Sequence, residues 1–274
     1  ASTGSGAMES AIVNTLSSGD EVLCVISGKF GQRWSEICKT YGLSVHELPV
    51  VWGEPVDPQD IVKALKTHPQ IKAVLTQYCE TSTATVHPIE KISKELKAFP
   101  NVMLMVDAIT ALGASPMPMD AWGLDVVVAG SQKAFMLPTG LSFIGLSKKA
   151  WLASQAAKLP KFYFDLQKEL KANRSGQTHF SSPTALIRAL HTVLPMFLGH
   201  NLQTQMARCE RLSMATRSSA QILNFKVFSK APSPSVTALT TPEGIDSEKL
   251  RDLIEKKYKV TLMGGQDHLK GKII

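Results

Sequence analysis

Short, almost uninterrupted apolar runs alternate with amphipathic stretches over the first 150 residues. Glu21 to Ile26, Ser44 to Val51, Ile71 to Tyr78, Val102 to Val106, Val126 to Val128 and Leu141 to Leu146 carry the runs and predict strands. Between them, Ala7 to Leu16, Lys29 to Tyr41 and Pro88 to Leu96 have helical spacing, with Trp34, Ile37 and Cys38 on one face. Asp57-Pro58-Gln59-Asp60 opens a further helix, with an N-cap Asp and a proline in the first turn. The stripe Ile61, Val62 and Leu65 follows. Strands that are apolar on both faces need cover on both faces, which a parallel sheet between helix layers supplies. The alternation predicts an α/β fold with a mostly parallel sheet.

The texture changes near Ala150. Trp151 to Ala172, Pro183 to Leu198 and Asn201 to Leu223 read as mostly helical. After the Pro/Ser stretch Ala231-Pro232-Ser233-Pro234-Ser235 come a strand (Val236 to Thr240), a helix (Ser247 to Tyr258) and a strand (Lys259 to Met263). The expected division is a large domain over 1–200 and part of a small α/β domain over 201–274. The opening Ala1-Ser2-Thr3 and the closing Lys272-Ile273-Ile274, inside a strand-like run, lead us to expect a chain truncated at both ends.

The 274 residues are 44% hydrophobic and 19% charged, an ordinary globular balance. No apolar run approaches the roughly 18 residues that span a bilayer, and no basic-apolar-small signal segment opens the chain. The net charge of +7 is scattered rather than blocked, which suits anionic metabolites and argues against nucleic acid or membrane as partner. Cys24, Cys38, Cys79 and Cys209 form no CxxC pair and no zinc-ligand spacing. Cys24 and Cys79 fall in strand patterns as buried thiols, so a reducing, cytoplasmic compartment is expected. Asn173-Arg174-Ser175 matches a glycosylation sequon, read as chance.

Candidate chemistry gathers where strands end. Asp107 closes one apolar run, and Lys133 follows another through Gly130-Ser131-Gln132. A buried carboxylate is costly unless compensated, and a poised lysine amine is a nucleophile. Glu80-Thr81-Ser82-Thr83 puts hydroxyls after a third strand, and Phe30 stands between glycines in Gly28-Lys29-Phe30-Gly31 after a fourth. Thr3-Gly4-Ser5-Gly6-Ala7 opens a helix with small, hydroxyl-bearing residues, as anion sites do. Taken singly, each has a plainer role: a turn cap, a solvated lysine, a polar turn, a core aromatic, a helix cap. All but the glycine-rich loop follow strands, where open α/β sheets bind ligands.

With Val106-Asp107-Ala108, Gly130-Ser131-Gln132-Lys133 and the other segments just quoted, the chain resembles the class V aminotransferases of pyridoxal 5'-phosphate (PLP) fold type I. It is most similar to the alanine/serine–glyoxylate (serine–pyruvate) branch. The resemblance implies that Lys133 forms the Schiff base with PLP and carries the proton, and that Asp107 pairs with the pyridine nitrogen. It implies Phe30 stacked on the ring, Thr81 beside the ring hydroxyl and Ile109 on the opposite face. Thr3, Gly4, Ser5 and Gln132 would hold the phosphate. In the family a partner-subunit segment also reaches the phosphate; the matching stretch is Gln177 to Pro183, with Thr178 and Ser181 at the reaching positions. That implies a homodimer acting on a small amino acid (alanine or serine) and a 2-oxo acid (glyoxylate or pyruvate).

In the family an Arg that binds the substrate carboxylate is expected just beyond Ile274, and an N-terminal arm precedes the glycine-rich loop. Two competing readings remain. A cysteine desulfurase or another class V lyase would need a mobile cysteine, and usually a His where Gln132 stands; Cys209 lies in a helical pattern. The other is a fragment that binds cofactor or dimerises without turnover.

Overall fold

Six strands form one sheet because each of the first four parallel partners is followed by a chain segment that crosses back over a face. The computed structural model describes residues 1–274. Its first half runs α1 (Gly4–Thr15), β1 (Glu21–Ile26), α2 (Lys29–Thr40), β2 (Ser44–Pro49), α3 (Pro58–Thr67) and β3 (Ile71–Gln77). A short antiparallel pair, β4 (Cys79–Glu80) and β5 (Thr85–Val86), leads to α4 (Ile89–Leu96), β6 (Met103–Asp107), α5 (Met119–Trp122), β7 (Val126–Gly130) and β8 (Ser142–Leu146). The strand order is β2-β1-β3-β6-β7-β8. Only β8 is antiparallel, and its turn back from β7 carries the Lys133 loop.

The helices cover both faces, as the doubly apolar strands require. On one side Met8, Ile12, Trp34 and Cys38 pack with Cys24, Leu75, Met105 and Val128. On the other, Ile61, Leu65, Ile89 and Ile92 pack with Leu23, Val25, Val74 and Leu104. In α2, Trp34 and Cys38 sit one turn apart and both are buried. In α3, Asp57 accepts a hydrogen bond from the Gln59 N–H and Pro58 stands in the first turn, as expected.

The second half contains α6 (Lys148–Ala156), α7 (Leu166–Arg174), α8 (Thr184–Val193), α9 (His200–Ile222), β9 (Lys226–Val227), β10 (Leu239–Thr240) and α10 (Ser247–Tyr258). Three expectations need correction. The helix anticipated over 151–172 is two helices: Pro160 lies between them, and Asp165 caps the second by accepting from the Lys168 N–H. The strand anticipated over 236–240 shrinks to Leu239–Thr240, which pairs with β9 and with the chain end at Ile274. Lys259 to Met263 is not a strand: Lys259 takes a left-handed conformation (φ 58°) that ends α10, and the Leu262 carbonyl accepts from Arg251 Nε at 2.7 Å instead of pairing with a strand.

Candidate active site

Strand order places the carboxyl ends of β1, β3, β6 and β7 side by side, and the candidate residues collect there. Asp107 is the last residue of β6, in register with Gln77 of β3 and Val128 of β7. It is 4% exposed. Its Oδ1 accepts one hydrogen bond, from the Ile109 N–H at 2.8 Å. Burial pushes its carboxyl up to about 7; Glu80 adds to the rise, while the Ile109 hydrogen bond, Arg33 and Lys133 oppose it.

Glu80 is a second buried carboxylate at the same end of the sheet. It accepts from the backbone N–H groups of Phe30 (3.1 Å) and Gly31 (3.0 Å), and from the N–H (3.2 Å) and hydroxyl (2.5 Å) of Ser82. The Ser82 Oγ in turn accepts from the Lys29 N–H at 3.1 Å. Gly28, at the cap position of α2, has no side chain to satisfy these donors, so Glu80 and Ser82 do so from across the site. The Phe30 turn is thereby clamped. Burial raises the Glu80 pKa, against the lowering effect of these hydrogen bonds.

A cavity of about 750 Å³ opens above these residues, with Phe30, Thr81, Ser82, Thr110 and Lys133 on its wall. The Thr81 and Thr110 hydroxyls are hydrogen-bonded at 2.6 Å. Lys133 is exposed to the cavity in the loop between β7 and β8. The Arg33 guanidinium lies 4.8 Å from the centre of the Phe30 ring and donates to Ser5 Oγ at 3.0 Å, tying the aromatic to the start of α1. Thr3 caps α1. Gly4 is buried so closely against Ile109 that a Cβ there would lie 2.4 Å from Ile109 Cδ1. Ser2 N–H donates to the Gly140 carbonyl, joining the same helix start to the loop that carries Lys133. The Gln132 side-chain oxygen is buried without a hydrogen-bond partner.

Of the residues predicted from sequence, Phe30, Thr81 and Lys133 share the cavity wall; Asp107 accepts from Ile109, Gly4 packs on Ile109, and Ser5 is tied to Phe30 through Arg33. Thr178 and Ser181 stand apart. Both are exposed between α7 and α8, and the Thr178 hydroxyl donates to the Phe180 carbonyl at 2.7 Å. Sequence reasoning passed over Arg33, Glu80 as a clamp, and His87. The Val56 N–H donates to His87 Nδ1 at 2.9 Å, which leaves the proton on Nε2, 2.7 Å from Ser27 Oγ. Burial lowers His87 to about 4, so it stays neutral and holds Ser27 just before the Phe30 turn. Cys209 lines the cavity from within α9, a regular helix rather than a mobile loop, which disfavours the desulfurase reading.

The family model for class-V aminotransferases matches residues 1–269. The soluble hydrogenase small subunit of a Synechococcus strain is 43% identical over all of this chain and 72% of its own length. The serine–glyoxylate aminotransferase of Hyphomicrobium methylovorum is 34% identical over 99% of this chain and 69% of its own. Among solved structures, alanine–glyoxylate aminotransferase from Nostoc superposes with a TM-score of 0.94 at 27% identity, covering 99% of this chain and 73% of that one. The fold with its mostly parallel sheet and the sequence agree: this chain belongs to the class-V aminotransferase family, whose members depend on PLP.

Proposed function

We propose that this protein transfers an amino group between a small amino acid, alanine or serine, and a 2-oxo acid such as glyoxylate or pyruvate, using PLP held on Lys133. The observation that carries the reading is Asp107: a buried carboxylate with one backbone hydrogen bond, close enough to the cavity-lining Lys133 to feel its charge. The residues fit the cofactor. Asp107 lacks a cationic partner in contact, the Gln132 oxygen lacks a donor, and the start of α1 offers unpaired N–H groups beside small residues, suited to a phosphate.

When bound, PLP supplies an electron sink that stabilises the carbanion left by loss of a proton from the substrate Cα. Lys133 Nζ would be the amine that holds the cofactor and, as a free amine, would move the proton from the substrate Cα. Asp107 would pair with the ring nitrogen and favour its protonated form. Phe30, Ile109 and Thr81 would hold the ring. Thr3, Gly4, Ser5 and Gln132 bind the phosphate.

The phosphate site is completed by Thr178 and Ser181 of a second copy, in a homodimer. Support comes from α8, which has no buried residue, and from Ile187, Met196 and Leu198, which stand 44%, 39% and 61% exposed nearby. The segment 1–200 acts as the large, cofactor-bearing domain and 201–274 as the smaller one. The decisive test is borohydride reduction of the holoenzyme followed by peptide mapping. The reduced cofactor is expected on Lys133 and absent from Lys133→Ala; a variant that still fixes cofactor elsewhere in the site overturns the assignment. A donor and acceptor panel then identifies the substrates.

A further inference from the structure

At the opposite end of the sheet, where the parallel strands begin, three potential metal ligands converge. Glu21 opens β1, His46 lies on the edge strand β2, and His68 ends α3. Glu21 is in register with Ser44, and Leu23 with His46, so Glu21 and His46 share one face of the sheet as diagonal neighbours. That is the face Leu23 shares with Ile61 and Leu65 of α3, which brings the end of α3 over the pair. The His46 Nε2 lies 2.8 Å from Glu21 Oε2. The His46 and His68 rings lie against each other with centroids 4.0 Å apart, tilted by 32°. One ligand atom from each of the three falls within 4.8 Å of the other two.

We infer that Glu21, His46 and His68 form a binding site for a divalent transition-metal ion of the zinc type, separate from the amino-transfer site. Two imidazoles and one carboxylate are a known zinc ligand set that leaves a fourth position to water. A tetrahedral zinc with bonds of about 2.0–2.1 Å holds its ligand atoms roughly 3.3 Å apart. Ligand atoms already within 4.8 Å close on such an ion by side-chain adjustment, replacing the His46–Glu21 hydrogen bond and opening the ring pair. The site is half-buried, so an ion can enter without unfolding; the Glu21 and His46 side chains are 32% and 26% exposed. The backbone of His68 is fixed on both sides, its N–H donating to the Ala64 carbonyl and its carbonyl accepting from Ile71. Bound metal would tie the edge strand, its neighbour and α3 together without touching the cavity at the far strand ends.

The experiment uses untagged holoenzyme and Zn²⁺ in equilibrium dialysis with metal analysis, together with thermal melting. The expected result is one Zn²⁺ per chain and a raised melting temperature, with Ca²⁺ giving neither. His46→Gln and His68→Gln should each weaken uptake by more than about tenfold, since even outer-shell partners are worth 10–100-fold. Both should keep the holoenzyme absorbance and the wild-type transamination rate, which reports an intact fold. Glu21→Gln, which removes the carboxylate charge and keeps its shape, serves where a histidine variant does not fold. Wild-type protein that takes up no Zn²⁺, or folded variants that take up as much as wild type, overturns the inference.

Discussion

Replacing Asp107 by Asn should make the cofactor-free protein more stable at alkaline pH relative to acid, while abolishing function. Burial lifts the folded-state pKa of Asp107 from an ordinary 3.8 to about 7. Between those values the folded state binds more protons than the unfolded chain, so this group's contribution to stability falls as pH rises. The penalty is nearly absent at pH 4 and complete above pH 7. About three pKa units at 1.36 kcal/mol each give ~4 kcal/mol. Asn keeps an oxygen for the Ile109 N–H and carries no charge, so it escapes the penalty. Its buried NH₂ group costs roughly 1–3 kcal/mol where it finds no acceptor. That cost does not vary with pH, so the informative quantity is the change in the difference between variant and wild type. Urea unfolding of both apoproteins at pH 4.5 and pH 8 should show the variant gaining about 3–4 kcal/mol on wild type across the range. Most other titrations cancel in the comparison; Glu80 and Lys133, which interact with Asp107, are the coupled exceptions. If the ring N–H⁺ of PLP pairs with Asp107, as proposed, cofactor should stabilise wild type far more than Asp107→Asn. A difference that stays flat with pH would refute the claim that Asp107 is an uncompensated buried carboxylate.

Glu80→Ala removes the acceptor from the Phe30 and Gly31 N–H groups; it should cost about 2–4 kcal/mol in unfolding free energy and weaken cofactor affinity, measured by fluorescence titration. Gly31→Ala puts a Cβ 2.4 Å from the Val25 carbonyl oxygen, a backbone atom that cannot swing aside, and should lower stability by roughly 2–3 kcal/mol in denaturant melts. His87 has the opposite pH sign to Asp107. Its folded pKa is lowered from 6.5 to about 4, so the folded state binds fewer protons in that window and loses up to about 3 kcal/mol as pH falls through it. His87→Gln should remove that acid-side loss in melts between pH 7 and 4. Thr178→Val with Ser181→Ala should weaken PLP binding in the dimer while leaving borohydride fixation on Lys133 intact, which equilibrium dialysis against PLP would show.

Much of the fold is written in local periodicity. The bounds of β1 (Glu21–Ile26) and α10 (Ser247–Tyr258) follow from an apolar run in the first and from the Asp246 cap beside the second. The errors fall where a distant partner decides. Lys259 to Met263 is rich enough in β-branched and apolar residues to read as a strand, yet no edge is offered to it, and Arg251 from the preceding helix takes the Leu262 carbonyl. Pro160 and the Asp165 cap were visible signals that outweigh the helical composition around them.

The site divides along the same line. Asp107 and Lys133 stand out because each ends or follows a strand, and Glu80 has the same signature: a carboxylate closing the apolar run that begins at Ile71. What sequence cannot order is which strand ends become neighbours. Once β1, β3, β6 and β7 lie side by side, Glu80 is drawn to the N–H groups of the Phe30 turn, while Asp107 keeps a single backbone donor. Of two buried carboxylates at one end of a sheet, one is satisfied by several protein donors and the other keeps a single backbone hydrogen bond. That asymmetry is what the proposed role of Asp107 rests on, and it exists only in three dimensions.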